Sequence, residues 1–281
     1  MTKKTKNAIT VVLVLAIIMG MIAFAASTVR GITGTNDEKP SGTVTDVADP
    51  SFNLKGKSIS FLGDSITTYD GWSNNTAHNS TLGNNDTFYN STMMNVNSTW
   101  WKQVLNELQL SLCVNNSCDA SRVTDTHEKM PSGMTRAAEL SRDNGTSPDI
   151  IIVYLGTNDL AADDVTFDQN TLYDTLGFIQ AYDEMIYNIV TAYPDADVFV
   201  CTLLPEGRNT DGELLEYNEA IREIANDQGV NVIDLYADSG ITRANYLQYV
   251  IDQGTLRVHP NEEGMDKISD TVVKALTEYY R

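Results

Sequence analysis

A chain of 281 residues, 42% of them hydrophobic and 20% charged, can bury one sizeable core in a single domain of about 230 residues. Its 19 basic residues face 38 acidic ones, a net charge of -19. So acidic a surface argues against nucleic acid and against an anionic membrane face as partners, and suits an exported domain kept in solution by its charge.

Residues 1–30 read apart from the fold. Lys3, Lys4 and Lys6 precede an apolar run at residues 8–26, interrupted only by Thr10 and Gly20. At a rise of about 1.5 Å per residue the run spans most of a bilayer core, and the lysines before it stay in the cytoplasm. The run exceeds the ~7–15 residues usual in a signal peptide, which favours an uncleaved transmembrane anchor. Ala23-Phe24-Ala25 resembles a small-x-small cleavage site, so a signal peptide is the rival reading. Both send the rest of the chain out of the cytoplasm, anchored or secreted, with membrane contact through this segment only. Residues 31–50 are rich in Gly, Thr, Asp and Pro and read as a flexible linker. Residues 51–281 read as the folded domain.

From Lys57 short apolar runs alternate with helical segments. Strands are expected at 58–62, 110–114, 150–155, 198–204 and 230–235, and helices at 100–110, 134–142, 171–193, 213–228 and 264–280. Ile150-Ile151-Ile152-Val153-Tyr154-Leu155 is the clearest strand, since a continuous β-branched run suits a parallel strand buried on both faces. Five strands alternating with helices predict an α/β fold with a parallel sheet covered on both sides. Residues 73–98 break the rhythm. They are dense in Asn, Ser and Thr and read as an insertion that shapes a substrate cleft or as a solvated loop. The three cysteines leave two patterns open: a Cys113–Cys118 bridge with Cys201 free, or unpaired thiols.

Four motifs mark the chemistry. Gly63-Asp64-Ser65 follows the first strand, Asn115-Asn116-Ser117 the second and Gly156-Thr157-Asn158-Asp159 the third. His259-Pro260-Asn261 precedes the last helix. Loops at the carboxyl ends of a doubly wound sheet meet on one edge, so these motifs can form one site. A serine hydroxyl needs a base within hydrogen-bond reach. Of His78, His127 and His259, only His259 has the loop-before-helix context. His78 and His127 read as surface histidines, and Asp64 and Asp159 as loop-holding residues.

In this order the motifs resemble the SGNH (GDSL-type) hydrolase superfamily, over about residues 57–281. The resemblance implies a flavodoxin-like, doubly wound sandwich around a five-stranded parallel sheet. It also implies ester hydrolysis with no metal or other cofactor. Ser65 is then the nucleophile and His259 its base. The oxyanion donors are the Ser65 N–H, the Asn158 amide and an N–H of the second block, placed here at Ala120. Asp64 and Asp159 are not catalytic.

Two positions depart from that pattern. Ala120 stands where a glycine is usual, and is strained if the loop needs φ > 0 there. Leu256 stands three residues before His259, where an aspartate orients the imidazole. Either a backbone carbonyl replaces it or Asp252 reaches in. The expected substrate is a small-molecule or polysaccharide ester, with O-acetylated carbohydrate favoured over lipid. Trp100-Trp101 is compatible with sugar binding, although tryptophans at a helix start are more often core. A lipid acyl ester remains an alternative, and the two departures motivate a second: a weakened, carbohydrate-binding pseudoenzyme. A nucleotide-binding module is disfavoured, because no Gly-x-Gly-x-x-Gly is present.

Overall fold

The computed structural model describes residues 54–69, 71–72, 95–124, 131–160, 175–251 and 257–281, all within the unit Ala48–Arg281. The expected anchor or signal peptide, the linker, most of the Asn-rich insertion, His78, His127, Asp252 and Leu256 lie outside the described residues. Among those described, no helix is long and apolar enough to cross a membrane.

The elements run β1 (Ser58–Gly63), α1 (Trp100–Glu107), β2 (Ser111–Ser117), α2 (Gly133–Arg136), β3 (Ile150–Tyr154), α3 (Thr175–Ala192), β4 (Asp197–Cys201), α4 (Asp211–Gln228), β5 (Asn231–Ile233), α5 (Leu235–Asp238) and α6 (Glu262–Tyr279). The five strands form one parallel sheet in the order β2-β1-β3-β4-β5. This is the flavodoxin-like order, whose direction reverses between β1 and β3. Right-handed crossovers on either side of that reversal put helices on opposite faces. Accordingly α1 packs against α6, and α3 against α4.

The central strands β3 and β4 are mainly apolar because both their faces are covered. Every residue of β3 is buried. Under α1, Trp100 and Trp101 are fully buried, and the Trp100 ring meets Phe61 edge-on with centroids 5.3 Å apart. The sugar-binding option for these two tryptophans therefore falls: they are core.

Register sets the site. Gly63 pairs with Ser117 on one side and Tyr154 on the other. The loops after β1, β2 and β3 therefore leave the sheet at one level, beside the reversal point where ligands of such sheets bind. Asn115, Asn116 and Ser117 belong to β2 itself rather than to the loop after it. The two asparagine amides donate inside the fold, Asn115 Nδ2 to the Thr67 carbonyl at 2.9 Å and Asn116 Nδ2 to the Glu139 carbonyl at 3.0 Å. The helix expected over residues 134–142 is one turn, Gly133–Arg136. Tyr193 stops it: its hydroxyl accepts the Leu140 N–H at 2.7 Å and donates to the Ala138 carbonyl at 2.6 Å, replacing helical partners. Cys113, Cys118 and Cys201 are all free thiols.

Candidate active site

The chain leaves β1 through Gly63, where a Cβ would stand 2.6 Å from Thr67 Oγ1. Only glycine lets the backbone fold back so closely. Asp64 then caps a 3-10 turn, Ser65–Thr67, by accepting the Ile66 N–H at 3.0 Å. Thr68 ties this turn to the next loop: its hydroxyl lies 2.9 Å from both the Ser65 carbonyl and Asp119 Oδ1.

After β2, Cys118 donates its N–H to the Gly63 carbonyl at 3.2 Å, and the Ser121 N–H closes a turn onto the Cys118 carbonyl at 3.2 Å. Ala120 is the third residue of that turn and has φ 56°. A turn with positive φ at its third residue ordinarily takes glycine. The expected strain at Ala120 is thus present, and its N–H is retained. Neither Ser65 nor Ala120 donates its N–H within the turns of the described residues.

After β3, Gly156 has φ 129°, a conformation essentially confined to glycine. It places Asn158, whose Nδ2 donates to the Ser121 carbonyl at 3.0 Å. Asp159 straps the second loop. Its carboxylate accepts the Val123 N–H at 2.8 Å, the Thr124 N–H at 3.1 Å and the Thr124 hydroxyl at 2.8 Å. Asp64 and Asp159 thus do the loop-holding work expected of them.

The histidine arrives from the far end of the chain. Its carbonyl accepts the Ile251 N–H at 2.9 Å, Asn261 donates its N–H to the Tyr249 carbonyl at 2.8 Å, and Asn261 caps α6. These contacts set His259 Nε2 2.9 Å from Ser65 Oγ, across 194 residues of sequence. Both residues are 7% exposed. With Nε2 accepting the serine proton, the neutral ring carries its hydrogen on Nδ1. This contact, two backbone N–H groups and an amide suit attack on a carbonyl and stabilisation of the resulting oxyanion.

Three groups that sequence reading passes over complete the surroundings. Arg136 is fully buried beneath the strand ends. It donates to the carbonyls of Gly63 at 3.2 Å and Pro131 at 3.1 Å, and also to the Asn116 carbonyl and Ser121 Oγ. Glu206 and Arg208 pair at 2.8 Å in the loop after β4. Burial pushes the Glu206 carboxyl up to about 7, against the pull of Arg208. A largely apolar pocket is lined by Ile66, Tyr154, Thr157, Glu206, Tyr246 and Pro260, beside the neighbours of Ser65, Asn158 and His259. Among the described residues no cluster of His, Cys, Asp and Glu could hold a metal ion.

The family model for GDSL-like lipases and acylhydrolases matches residues 57–276. The chain belongs to that family. A multidomain esterase of Ruminococcus flavefaciens is 30% identical over 145 residues, a match that covers 48% of this chain and 16% of that enzyme. The matched stretch is thus a small part of that relative's length. Solved structures share the fold. An acetylxylan esterase of Geobacillus stearothermophilus superposes with a TM-score of 0.54 at 16% identity, covering 79% of this chain and 94% of that one. A family 3 carbohydrate esterase of Talaromyces cellulolyticus gives 0.54 at 17% identity, covering 80% and 98%.

Proposed function

We propose that this member of the GDSL family is a serine ester hydrolase that works through an acyl-enzyme. The observation that carries the reading is the 2.9 Å approach of Ser65 Oγ to His259 Nε2. Ser65 attacks the ester carbonyl while His259 takes its proton. The Ser65 N–H, the Ala120 N–H and the Asn158 amide hold the oxyanion. His259 returns the proton to the departing alcohol, then activates water, which releases the acid and frees Ser65. Asp252 or a backbone carbonyl orients the imidazole in place of the aspartate that Leu256 replaces.

The substrate is an O-acetyl or short-acyl ester of a carbohydrate. Acetylxylan and carbohydrate esterases are among the solved structures that share the fold and support a carbohydrate ester; lipid acyl esters are the rival class, since GDSL-like lipases share the fold as well. The lysines and the apolar run at residues 8–26 support work outside the cytoplasm, in an anchored or secreted form.

The test compares hydrolysis of p-nitrophenyl acetate, p-nitrophenyl octanoate and acetylated xylo-oligosaccharide by the purified chain, each with a Ser65→Ala control. The reading expects Ser65-dependent release of acetate from both acetyl substrates. A preference for octanoate would move the substrate to lipid, and hydrolysis unaffected in Ser65→Ala would refute the mechanism.

A further inference from the structure

Arg208 reaches the Asn158 amide with its guanidinium. Nη1 and Nη2 both donate to Asn158 Oδ1 at 3.4 Å, and Nη2 also to the Thr157 carbonyl at 3.4 Å. On its other edge, Nε donates to Glu206 Oε2 at 2.8 Å. The Glu206 side chain is 3% exposed and that of Arg208 15%. Shielded from bulk water, a fixed cation exerts a stronger field than at the surface.

We propose that Arg208, held by Glu206, is a positioning residue that sets the Asn158 amide for oxyanion stabilisation. An asparagine amide has two ends of nearly the same shape, and only one of them donates. Here Oδ1 faces a group that can only donate. Nδ2 faces the Ser121 carbonyl, which can only accept, at 3.0 Å. Turning the amide over would set NH₂ against a guanidinium and oxygen against a carbonyl. The two contacts therefore select one orientation. One Nδ2 hydrogen goes to Ser121, and the second is left for an oxyanion.

The cation also acts through the amide. Drawing electron density toward Oδ1 makes the Nδ2–H groups stronger donors, as linked hydrogen bonds polarise one another. Hydrogen bonds in catalytic sites are often long before substrate binds and tighten in the transition state, which suits contacts of 3.4 Å. Glu206 fixes the guanidinium from behind, with the charge-assisted geometry that arginine offers a carboxylate. Arg208 touches no reacting atom in this account. Its effect passes through Asn158, and that is what an experiment can isolate.

The inference rests on the esterase reading, so Ser65-dependent hydrolysis by the wild type is measured first. Then kcat and KM for p-nitrophenyl acetate are compared in wild type, Arg208→Met, Asn158→Ala and the double variant, with active sites counted by fluorophosphonate titration so that misfolded protein is discounted. Loss of an oxyanion donor should lower kcat about 100-fold in Asn158→Ala. Arg208→Met should lower kcat about tenfold with KM changed less than about twofold, as a transition-state interaction requires. In the Asn158→Ala background Arg208→Met should cost less than about twofold, the non-additivity of residues that act as a unit. Should Arg208→Met fold too poorly to count, Glu206→Gln gives the same readout: a loss of about twofold or more in kcat alone that disappears in the Asn158→Ala background. An equal loss in both backgrounds, a loss confined to KM, or no loss at all would overturn the proposal. If the wild type shows no Ser65-dependent hydrolysis, the esterase reading fails and this inference falls with it; if it does and the cycle is additive, only this inference fails.

Discussion

One oxygen of Asp64 accepts the Ile66 N–H at 3.0 Å, while the other, buried beside it, has no hydrogen-bond partner among the described residues. Burial pushes this carboxyl up from its ordinary range to about 7, against the Ile66 hydrogen bond and the charges of Arg208 and Arg136. A folded-state pKa raised above the unfolded value gives stability that is full below the unfolded pKa and is lost as pH rises through the folded one. Asp64 should therefore cost the fold stability progressively between about pH 4 and pH 7. Asp64→Asn keeps an oxygen for the cap and carries no charge. Its stability relative to wild type should rise over that window, by at most about 4 kcal/mol. Urea unfolding at pH 4.5, 6 and 8 checks this; a difference that does not grow with pH would contradict it.

Ala120 holds φ 56° in a turn that favours glycine. Relief of that strain in Ala120→Gly should stabilise the protein by about 1 kcal/mol, or about 2–4 °C in melting temperature for a domain of this size. The backbone N–H is unchanged, so kcat should not fall more than about twofold. Thermal unfolding and ester hydrolysis of the same preparation measure both. A lower melting temperature would mean that the alanine methyl packs usefully where it stands.

Arg136 stitches the Ser65 turn to the Ala120 loop through Gly63, Asn116, Ser121 and Pro131. Arg136→Met fills similar space but removes the buried guanidinium's hydrogen bonds to four acceptors, of which the Gly63 carbonyl keeps the Cys118 N–H and the Pro131 carbonyl the Ser121 hydroxyl. A loss of about 3 kcal/mol in urea unfolding is expected. A loss below about 1 kcal/mol would show that the loops hold themselves.

How much of this was legible in the sequence varies with the reach of the forces involved. Ile150 to Tyr154 announces a central strand because burial on both faces demands an unbroken apolar run. Ser65 and His259 were legible as motifs, and the sheet order explains why residues so far apart meet. The end of α2 was not legible: it depends on the Tyr193 hydroxyl, 53 residues from Leu140. Asn115 and Asn116 read as loop because amides that donate inside the fold cannot be distinguished in sequence from solvated ones. Arg208 sits in a polar stretch, Glu206-Gly207-Arg208-Asn209, with the look of an ordinary surface turn. Its importance comes from what lies opposite, and no local signal could have found it.

The aspartate that Leu256 replaces gives a fourth prediction. If Asp252 orients His259, Asp252→Asn should lower kcat, by up to the ~10⁴-fold that the triad aspartate is worth in serine proteases, and Leu256→Asp should add little. If a backbone carbonyl suffices, Asp252→Asn should change kcat less than about threefold. Steady-state kinetics on p-nitrophenyl acetate separates the two.

The central claim is that Ser65 is the nucleophile and His259 its base. It is tested most directly by reacting the chain with a fluorophosphonate and locating the adduct by peptide mass spectrometry. The account predicts one adduct per chain, on Ser65, with none in Ser65→Ala and labelling slowed about 10²–10⁴-fold in His259→Ala, the usual worth of a general base. An adduct on another residue, or labelling of Ser65→Ala at the wild-type rate, would contradict it.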